Sequence, residues 1–329
     1  MTPAEEGFAA PAEWQPHERC WMAWPCRLSL WGDRYDAACQ AFAATARAIA
    51  EFEPVTMLAP EPLVPMARLQ LGRRVEVVPA EIDDSWTRDT APVFVADGDG
   101  RVGGVAWRFN AWGNRFHPYE RDARLGRALL ERLGLRAWDG PMVLEGGAIH
   151  VNGRGTLLTT EECLLNHNRN PTLSARQVEE RLAMYLGVRR VIWLERGLVG
   201  DETDGHVDNL ARFVSPGVVM LAWTDDPADP NRDVAADAEA RLRAAGLEVI
   251  RLPLPAPRPG LVLSYVNFYI ANGAAIAPAF DDPADERAAE LIGRALPGRR
   301  VVQLPALDIV RGGGGIHCIT REQPAAGMA

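Results

Sequence analysis

Five times along the chain, an amphipathic helical segment is followed by a short segment rich in β-branched residues and then by a polar loop. Apolar residues at helical spacing predict helices over residues 35–52, 121–133, 174–186, 235–245 and 285–296. The segments after them predict strands over residues 74–79, 135–138, 188–194, 247–253 and 299–305. Since the strands start about 50–60 residues apart, near the spacing of repeat architectures, the pattern predicts a closed, pseudo-symmetric α/β ring. An ordinary α/β domain is the alternative.

Each repeated strand is followed by one motif that carries chemically distinctive side chains. The five motifs lie at residues 86–89, 144–147, 201–208, 265–269 and 312–318. If every unit contributes its motif to the middle of the ring, the motifs meet at one central site. No linker-like or low-complexity stretch interrupts the pattern, so residues 1–329 are predicted to form a single catalytic domain.

Composition excludes several classes of protein. The chain is 47% hydrophobic and 24% charged, which is ordinary for a globular protein, and no apolar run approaches the roughly 18 residues of a membrane span. The acidic N-terminal segment lacks the basic and apolar regions of a secretory signal, which predicts a cytoplasmic location without a membrane partner. The net charge of −9 argues against a nucleic-acid partner and favours a cationic ligand.

Missing residue types narrow the chemistry further. All 35 basic residues are arginine, which excludes a phosphate-binding P-loop and a lysine Schiff base. No serine lies in a Gly-x-Ser-x-Gly elbow. The five cysteines are odd in number and contain no Cys-x-x-Cys pair, so neither a disulfide framework nor a zinc knuckle is indicated. A covalent nucleophile would therefore be a cysteine.

Cys318 is the candidate nucleophile, because a run of four glycines at residues 312–315 comes shortly before it. A free cysteine more often packs as an inert apolar residue, but consecutive glycines permit a close approach of the backbone to another group. His206 is the candidate general acid and base. His206 and Asp208 are predicted to alternate along a strand and so to face the same side. The candidate carboxylates around the thiol are Asp89, Glu145 and Asp208.

Two alternative interpretations of these residues stay open. Asp89 could be a solvated loop acid or a helix cap. His150 and His317 could bind a metal ion together with Cys163 or Cys318, but no spacing resembles a zinc site. We therefore predict neither a metal ion nor an organic cofactor.

Several carboxylates around one thiol suit a cationic, planar substrate group. A guanidinium offers five N–H donors in a fixed fork, which carboxylates accept in pairs. Its carbon is a poor electrophile, so attack needs a strong nucleophile and a protein that fixes the positive charge. Trp86 could pack against the cation or its alkyl chain. A cysteine protease would leave the additional carboxylates unexplained.

At these residues the chain resembles the agmatine deiminases, a family of the guanidino-modifying superfamily that includes the peptidyl-arginine deiminases. The resemblance spans almost the whole chain and rests on motifs at residues 21–25, 84–92, 109–113, 144–147, 160–171, 201–213, 265–269 and 313–318. It implies a five-bladed α/β propeller, the pentein fold, with a central active site. It also implies a hydrolase of linear amidines that needs no cofactor and supplies putrescine for polyamine biosynthesis.

The resemblance implies a role for each candidate residue. Cys318 would be the nucleophile, His206 would be the general acid and base, and Glu145 would bind the guanidinium or orient His206. An amidino-thioether on Cys318 would be the intermediate, and water would release a ureido product. The substrate-binding set would comprise Trp86, Asp89, Asp204, Asp208, Asn267 and Gly313.

Agmatine is the expected substrate, because the α-carboxylate of arginine would be repelled by the acidic site. Arg88 and Arg115 could receive that carboxylate if they point inward. The motif at 21–25 is followed by Ser29 and Leu30 where the family often has Asp-Asn, so the outer pocket is less polar than expected. The alternatives are a deiminase or amidinotransferase for another guanidine or peptidyl arginine, and a binding module without turnover. A homo-oligomer is left open.

Overall fold

Sixteen strands form five small sheets in residues 1–327, the part of the chain that the computed structural model describes. In chain order the strands are β1 His17–Ala23, β2 Val55–Ala59, β3 Val75–Pro79, β4 Val93–Ala96, β5 Val102–Arg108, β6 Arg136–Val143, β7 Ile149–Val151, β8 Thr156–Thr160, β9 Arg190–Leu194, β10 Ala211–Ser215, β11 Val218–Trp223, β12 Glu248–Pro253, β13 Tyr269–Ala271, β14 Ala274–Ala279, β15 Arg300–Pro305 and β16 Arg321–Pro324. Four sheets contain three consecutive strands each, and the fifth has the order β16-β1-β2-β3.

The five sheets repeat one topology. In each, an antiparallel pair is extended by a parallel strand, as in β4–β5 and β5–β6. Parallel neighbours need a crossover connection, and the crossovers contain the longer helices. These helices are α1 Tyr35–Ile49, α2 Val64–Leu71, α3 Asp122–Leu133, α4 Ala175–Leu186, α5 Asn231–Ala244 and α6 Asp285–Ala295. The predicted five-bladed, pseudo-symmetric α/β propeller is thereby confirmed.

The last strand closes the ring on the first sheet. β16 pairs antiparallel with β1, and Arg321 lies opposite Trp21. The indole of Trp21 also donates a hydrogen bond of 2.9 Å to Gln323 on the closing strand. The segment just before β16 is therefore held at the centre of the ring, and this segment contains Cys318.

All five predicted helices are present, and each lies within four residues of its predicted bounds at both ends. The start of α4 fits its capping box, in which Ser174 and Gln177 bond to each other's backbone N–H. The five predicted strands are also present, and each lies at one edge of its sheet. Since every one of the five motifs follows such a strand, the fold delivers all of them to one end of the ring.

The prediction that His206 and Asp208 lie on a strand is wrong, because the strand starts after both residues. Val207–Leu210 form a single helical turn, and the strand begins only after it. The turn is held by tertiary contacts, among them a 2.6 Å hydrogen bond that the Ser264 hydroxyl donates to the carbonyl of Asn209. Such contacts outweigh the alternation of polar and apolar residues on which the prediction rested. A helical turn, not strand alternation, therefore places the two site residues.

The hydrophobic core lies between the sheets and the outer helices, whereas the middle of the ring is polar. Buried charged residues there include Glu13, Glu145, Asp208, Arg212 and His317. None of the helices in residues 1–327 has the length and apolar character needed to cross a membrane.

We expect the core of a single blade to contribute measurably to global stability. Leu242 on α5 is fully buried, whereas Leu69 on α2 is 84% exposed. Leu242→Ala should lower the free energy of unfolding by about 2–5 kcal/mol, because it leaves a cavity in the core. Leu69→Ala should change it by less than about 0.5 kcal/mol. Urea unfolding followed by circular dichroism measures both, and equal losses would contradict this packing.

Candidate active site

All five motifs meet at the centre of the ring. The backbone N–H of Gly147 donates to the Oδ1 of Asp89 at 2.8 Å, which joins the first two motifs. The Nδ1 of His317 lies 2.8 Å from the Oδ2 of Asp208, and this contact joins the third motif to the fifth. The side chain of Asn267 brings in the fourth motif. The convergence predicted from the repeat is therefore confirmed.

Cys318 lies at the bottom of a small inner cavity. Its side chain shares the lining of this cavity with Trp86, Asp89 and Gly313. The Nδ2 of Asn267 lies 3.3 Å from the Cys318 sulfur, and the Oδ2 of Asp208 lies 3.8 Å from it. Burial raises the pKa of the Cys318 thiol well above its ordinary value, and the charges of Asp208 and Asp89 raise it further. These surroundings therefore favour the protonated thiol.

The glycine run packs where side chains would collide. A Cβ on Gly314 would lie 2.5 Å from the indole ring of Trp86. Gly313 has φ of +102°, a conformation that other L-residues rarely adopt. The ring of Trp86 in turn stacks at a tilt on Trp31, with 6.1 Å between the ring centroids. The backbone of this run therefore makes the predicted close approach, and it approaches Trp86, which lines the cavity.

Asp89 is oriented from two sides. Its Oδ1 accepts the Gly147 N–H noted above, and its Oδ2 accepts a 2.9 Å hydrogen bond from the Trp112 indole. Trp112 itself has φ of +54°, a strained value for a bulky residue. Sequence reasoning did not single out Trp112 as a site residue. Its only signal was the motif at 109–113, since backbone strain is invisible in a sequence.

His206 is buried among carboxylates. Its Nδ1 lies 4.0 Å from the Oδ2 of Asp89. A carboxylate oxygen of Glu145 lies within 4.8 Å of a ring nitrogen of His206. Burial alone lowers the pKa of His206, but the charges of Asp89, Glu145 and Asp208 outweigh burial and raise the pKa overall. The charged imidazolium is therefore favoured at higher pH than for a free histidine.

Arg169 fixes Glu145, and this partner was not predicted. The Nε of Arg169 donates to the Oε1 of Glu145 at 2.6 Å, and both side chains are fully buried. The same guanidinium reaches Asp204 at 2.8 Å. The signal in the sequence was the motif at 160–171, whose arginine follows a polar Asn-His-Asn run.

Asp204 lies behind the cavities instead of lining them. Its Oδ2 accepts hydrogen bonds from Asn168 at 2.9 Å and from Arg169 at 2.8 Å, and its Oδ1 pairs with Arg115. Because cationic and amide donors already occupy both oxygens, the geometry gives Asp204 an anchoring position. Its predicted contact with the substrate stays a prediction. Arg115 is thereby also engaged, as is Arg88, which pairs with Glu322 at 2.8 Å.

An outer cavity of about 280 Å³ adjoins the inner one. Leu30 and Gly313 line both cavities, and Asn267 lines the outer one, whereas Ser29 lines neither. Of the two departures from the family pattern, only Leu30 therefore lines the cavities. The exposed carboxylate of Glu202 also lines both cavities. Sequence reasoning did not name Glu202 as a site residue, although it lies in the motif at 201–208.

Two groups of residues within the described 1–327 hold donor atoms close enough for a metal ion. One group contains Glu145, Cys163 and His206, but burial raises the pKa of the Cys163 thiol well above its ordinary value, which disfavours the thiolate ligand. The other contains Glu13, His150 and His317, where an arginine guanidinium already neutralises Glu13. That catalysis needs no metal stays a prediction.

Known proteins resemble this chain over nearly its full length. The family described as Porphyromonas-type peptidyl-arginine deiminase matches residues 9–324. Agmatine deiminase of Pseudomonas aeruginosa (strain LESB58) is 47% identical, with 98% of this chain and 97% of that protein covered. The solved agmatine deiminase of Enterococcus faecalis is 34% identical with a TM-score of 0.94, covering 98% of both chains. A cysteine-to-serine variant of C. jejuni agmatine deiminase, solved with substrate bound, is 28% identical with a TM-score of 0.92, covering 97% of both chains.

The matches agree with the geometry, because each spans all five blades and the complete set of motifs. The chain belongs to the family of Porphyromonas-type peptidyl-arginine deiminases and, within the guanidino-modifying superfamily, to the agmatine deiminases.

Proposed function

We propose that the protein hydrolyses agmatine to N-carbamoylputrescine and ammonia through a covalent intermediate on Cys318. One observation carries the proposal. Three buried atoms at the centre of the ring, the Oδ1 of Asp208, the Oε2 of Glu145 and the Nε2 of His206, have no hydrogen-bond partner among residues 1–327. Leaving such atoms unpaired costs about 1–3 kcal/mol each. A planar cation with several N–H donors would satisfy the carboxylate oxygens and place its carbon beside the sulfur.

The guanidinium would also activate the nucleophile. Burial and two carboxylates raise the pKa of the thiol and so favour its protonated form. A substrate cation bound between Asp89 and Asp208 would place a positive charge beside the sulfur and lower the pKa of the thiol. The thiolate would then form only when its electrophile is present, which protects it from other reagents.

The reaction would proceed in two halves. The Cys318 sulfur attacks the guanidinium carbon, His206 protonates the departing nitrogen, and ammonia leaves. An amidino-thioether then remains on Cys318. In the second half His206 takes a proton from water, the resulting hydroxide attacks the same carbon, and the C–S bond breaks. The ureido product leaves, and the thiol is restored.

The outer cavity supports a substrate with a second positive charge. Glu202 lies at the junction of the two cavities, within reach of the far end of a short alkyl chain. Arg88 and Arg115, the two candidates for binding the carboxylate of arginine, are paired with other acids and line neither cavity. Arg311 also lines the outer cavity, but it pairs with Asp308 at 2.8 Å, and the acids Asp201 and Glu202 line the same cavity. These features favour agmatine over arginine.

A second candidate substrate is a guanidine with a less polar tail. It is favoured by Leu30, which adds an apolar side chain to the wall of both cavities. Amidino transfer and action on peptidyl arginine remain alternatives of the same chemistry. For either substrate, the protein would work in the cytoplasm as a single catalytic domain, without nucleic acid or membrane partners.

Replacement of the nucleophile should abolish turnover. Cys318→Ser should release no ammonia from agmatine, because a serine hydroxyl is far less ionised than a thiol near neutral pH. Cys39→Ser is the matched control, since Cys39 is a buried thiol on α1 outside the site. Circular dichroism should show both variants folded. Ammonia release by Cys318→Ser at the parent rate would rule out the covalent route.

Asp89→Asn should lower kcat/KM for agmatine by roughly 10- to 100-fold, the value of one charge-assisted hydrogen bond. Asp97→Asn is the control, because Asp97 is equally buried at 8% but binds Arg101 in a remote loop. Steady-state kinetics of ammonia release compares the two. A normal Asp89→Asn enzyme would make Asp89 the solvated loop acid of the alternative interpretation.

Glu202→Gln should raise KM for agmatine by about 2- to 5-fold and leave KM for methylguanidine unchanged. The reason is that Glu202 would pair with the ammonium at the far end of agmatine, and an exposed pair is worth about 1 kcal/mol or less. Parallel assays with both substrates provide the control within one variant. If both KM values rise together, Glu202 acts on the guanidinium end or on the loop itself.

A further inference from the structure

We propose that Glu13, which lies before β1, positions Asp208 through His317 and thereby sets the affinity of the site for the guanidinium. The inference rests on the proposed function, because it assigns Asp208 to the guanidinium. None of the five motifs contains Glu13. The three side chains form one continuous row from the N-terminal segment to the reacting atoms.

His317 bridges two carboxylates. Its Nδ1 lies 2.8 Å from the Oδ2 of Asp208, and its Nε2 lies 3.0 Å from the Oε2 of Glu13. The side chains of His317 and Asp208 are 1% exposed and that of Glu13 is 4% exposed, so water does not weaken these contacts. The imidazole ring is therefore held between the two carboxylates, so the position of Glu13 fixes the orientation in which the ring contacts Asp208.

Glu13 is itself fixed in place. The backbone N–H of Ile270 on β13 donates to its Oε1 at 2.8 Å. The guanidinium of Arg212 lies 2.9 Å from its Oε2 and packs over the ring of Phe268, 3.9 Å from the centroid. Burial opposes the charge of Glu13, but Arg212 and His317 outweigh burial and hold the pKa of this carboxyl well below its ordinary value. The row therefore ends on an ionised anchor.

The contact with His317 fixes the plane of the Asp208 carboxylate. His317 contacts the Oδ2, and the buried Oδ1 has no hydrogen-bond partner within the described residues 1–327. Hydrogen bonds to a carboxylate weaken when the N–H leaves the lone-pair direction, so a fixed plane favours a guanidinium in one orientation. Without the row, Asp208 could rotate and lose this alignment with Cys318.

Stability alone does not account for the row. Three buried ionisable groups are costly to desolvate, and well-packed apolar residues in such places are often equally or more stable. Glu13 already has Ile270 and Arg212 as partners, so His317 is not needed to satisfy it. The function of the row is then to align the carboxylate of Asp208 with the guanidinium.

The first test is Glu13→Gln, which keeps the shape and removes the charge. Calorimetry with methylguanidine, carried out in the Cys318→Ser background so that no turnover occurs, should show affinity weakened about 10-fold, the lower end for one charge-assisted hydrogen bond. Affinity for putrescine, which has no guanidinium, should not change. Glu239→Gln is the control, because Glu239 is 8% exposed and pairs with Arg251 on another blade. Unchanged methylguanidine affinity in Glu13→Gln would overturn the proposal.

A double-mutant cycle separates positioning from general damage. If Glu13 acts through Asp208, Glu13→Gln should cost little further affinity for methylguanidine once Asp208→Asn is present. Additive losses would mean that Glu13 acts elsewhere and would overturn the proposal. The cycle uses binding, so it does not depend on turnover of agmatine. Failure of the wild type to release ammonia from agmatine would instead refute the proposed function.

A pair of variants at His317 keeps the proposal falsifiable if Glu13→Gln does not fold. His317→Asn places an amide donor where the Nδ1 faces Asp208, whereas His317→Gln places it where the Nε2 faces Glu13. Both lose the ring, so a purely structural role predicts equal losses. We expect His317→Gln to bind methylguanidine at least about 5-fold more weakly than His317→Asn, a fraction of one charge-assisted hydrogen bond. Equal or reversed affinities would overturn the proposal.

Discussion

The antiparallel pairing of β16 with β1 is the interaction on which the rest of the structure depends. Four blades are built from consecutive strands, but the fifth takes strands from both ends of the described chain. Two residues separate Cys318 from β16, so the pairing fixes the position of the proposed nucleophile. The same blade holds Trp31 and Trp86, against which the glycine run packs. Closure of the ring and construction of the active site are therefore one event.

The centre of the ring is strongly acidic, and this has a cost that a substrate would offset. Asp89, Glu145 and Asp208 are buried around the imidazole of His206, and Asp208 also lies beside the Cys318 thiol. The three charges raise the pKa of His206, and those of Asp208 and Asp89 raise the pKa of Cys318, which favours an acid and disfavours a thiolate. A bound cation would lower the pKa of the thiol again. Selectivity for cations and activation of the nucleophile then have a common electrostatic origin.

Repetition made the fold predictable, whereas tertiary contacts hid parts of the site. The five helices and five strands were found from periodicity, and Cys318 stood out because of its glycines. The turn at Val207–Leu210 was mistaken for a strand, since hydrogen bonds from distant blades decide its conformation. The motifs at 109–113 and 160–171 contain the strained Trp112 and the buried Arg169 but do not reveal that these residues orient Asp89 and Glu145. Residues that orient others were thus harder to predict than residues that react.

Closure by β16 also fixes the order in which the enzyme becomes active during synthesis. The ribosome makes Asp89, Glu145, His206 and Asp208 before Cys318, and the strand that seats the thiol comes later still. A nascent chain can contain the strands of four blades while it still lacks Cys318. If Cys318 is the nucleophile, chains that stall before β16 would be inert toward guanidines, and activity would report only on chains that include this strand.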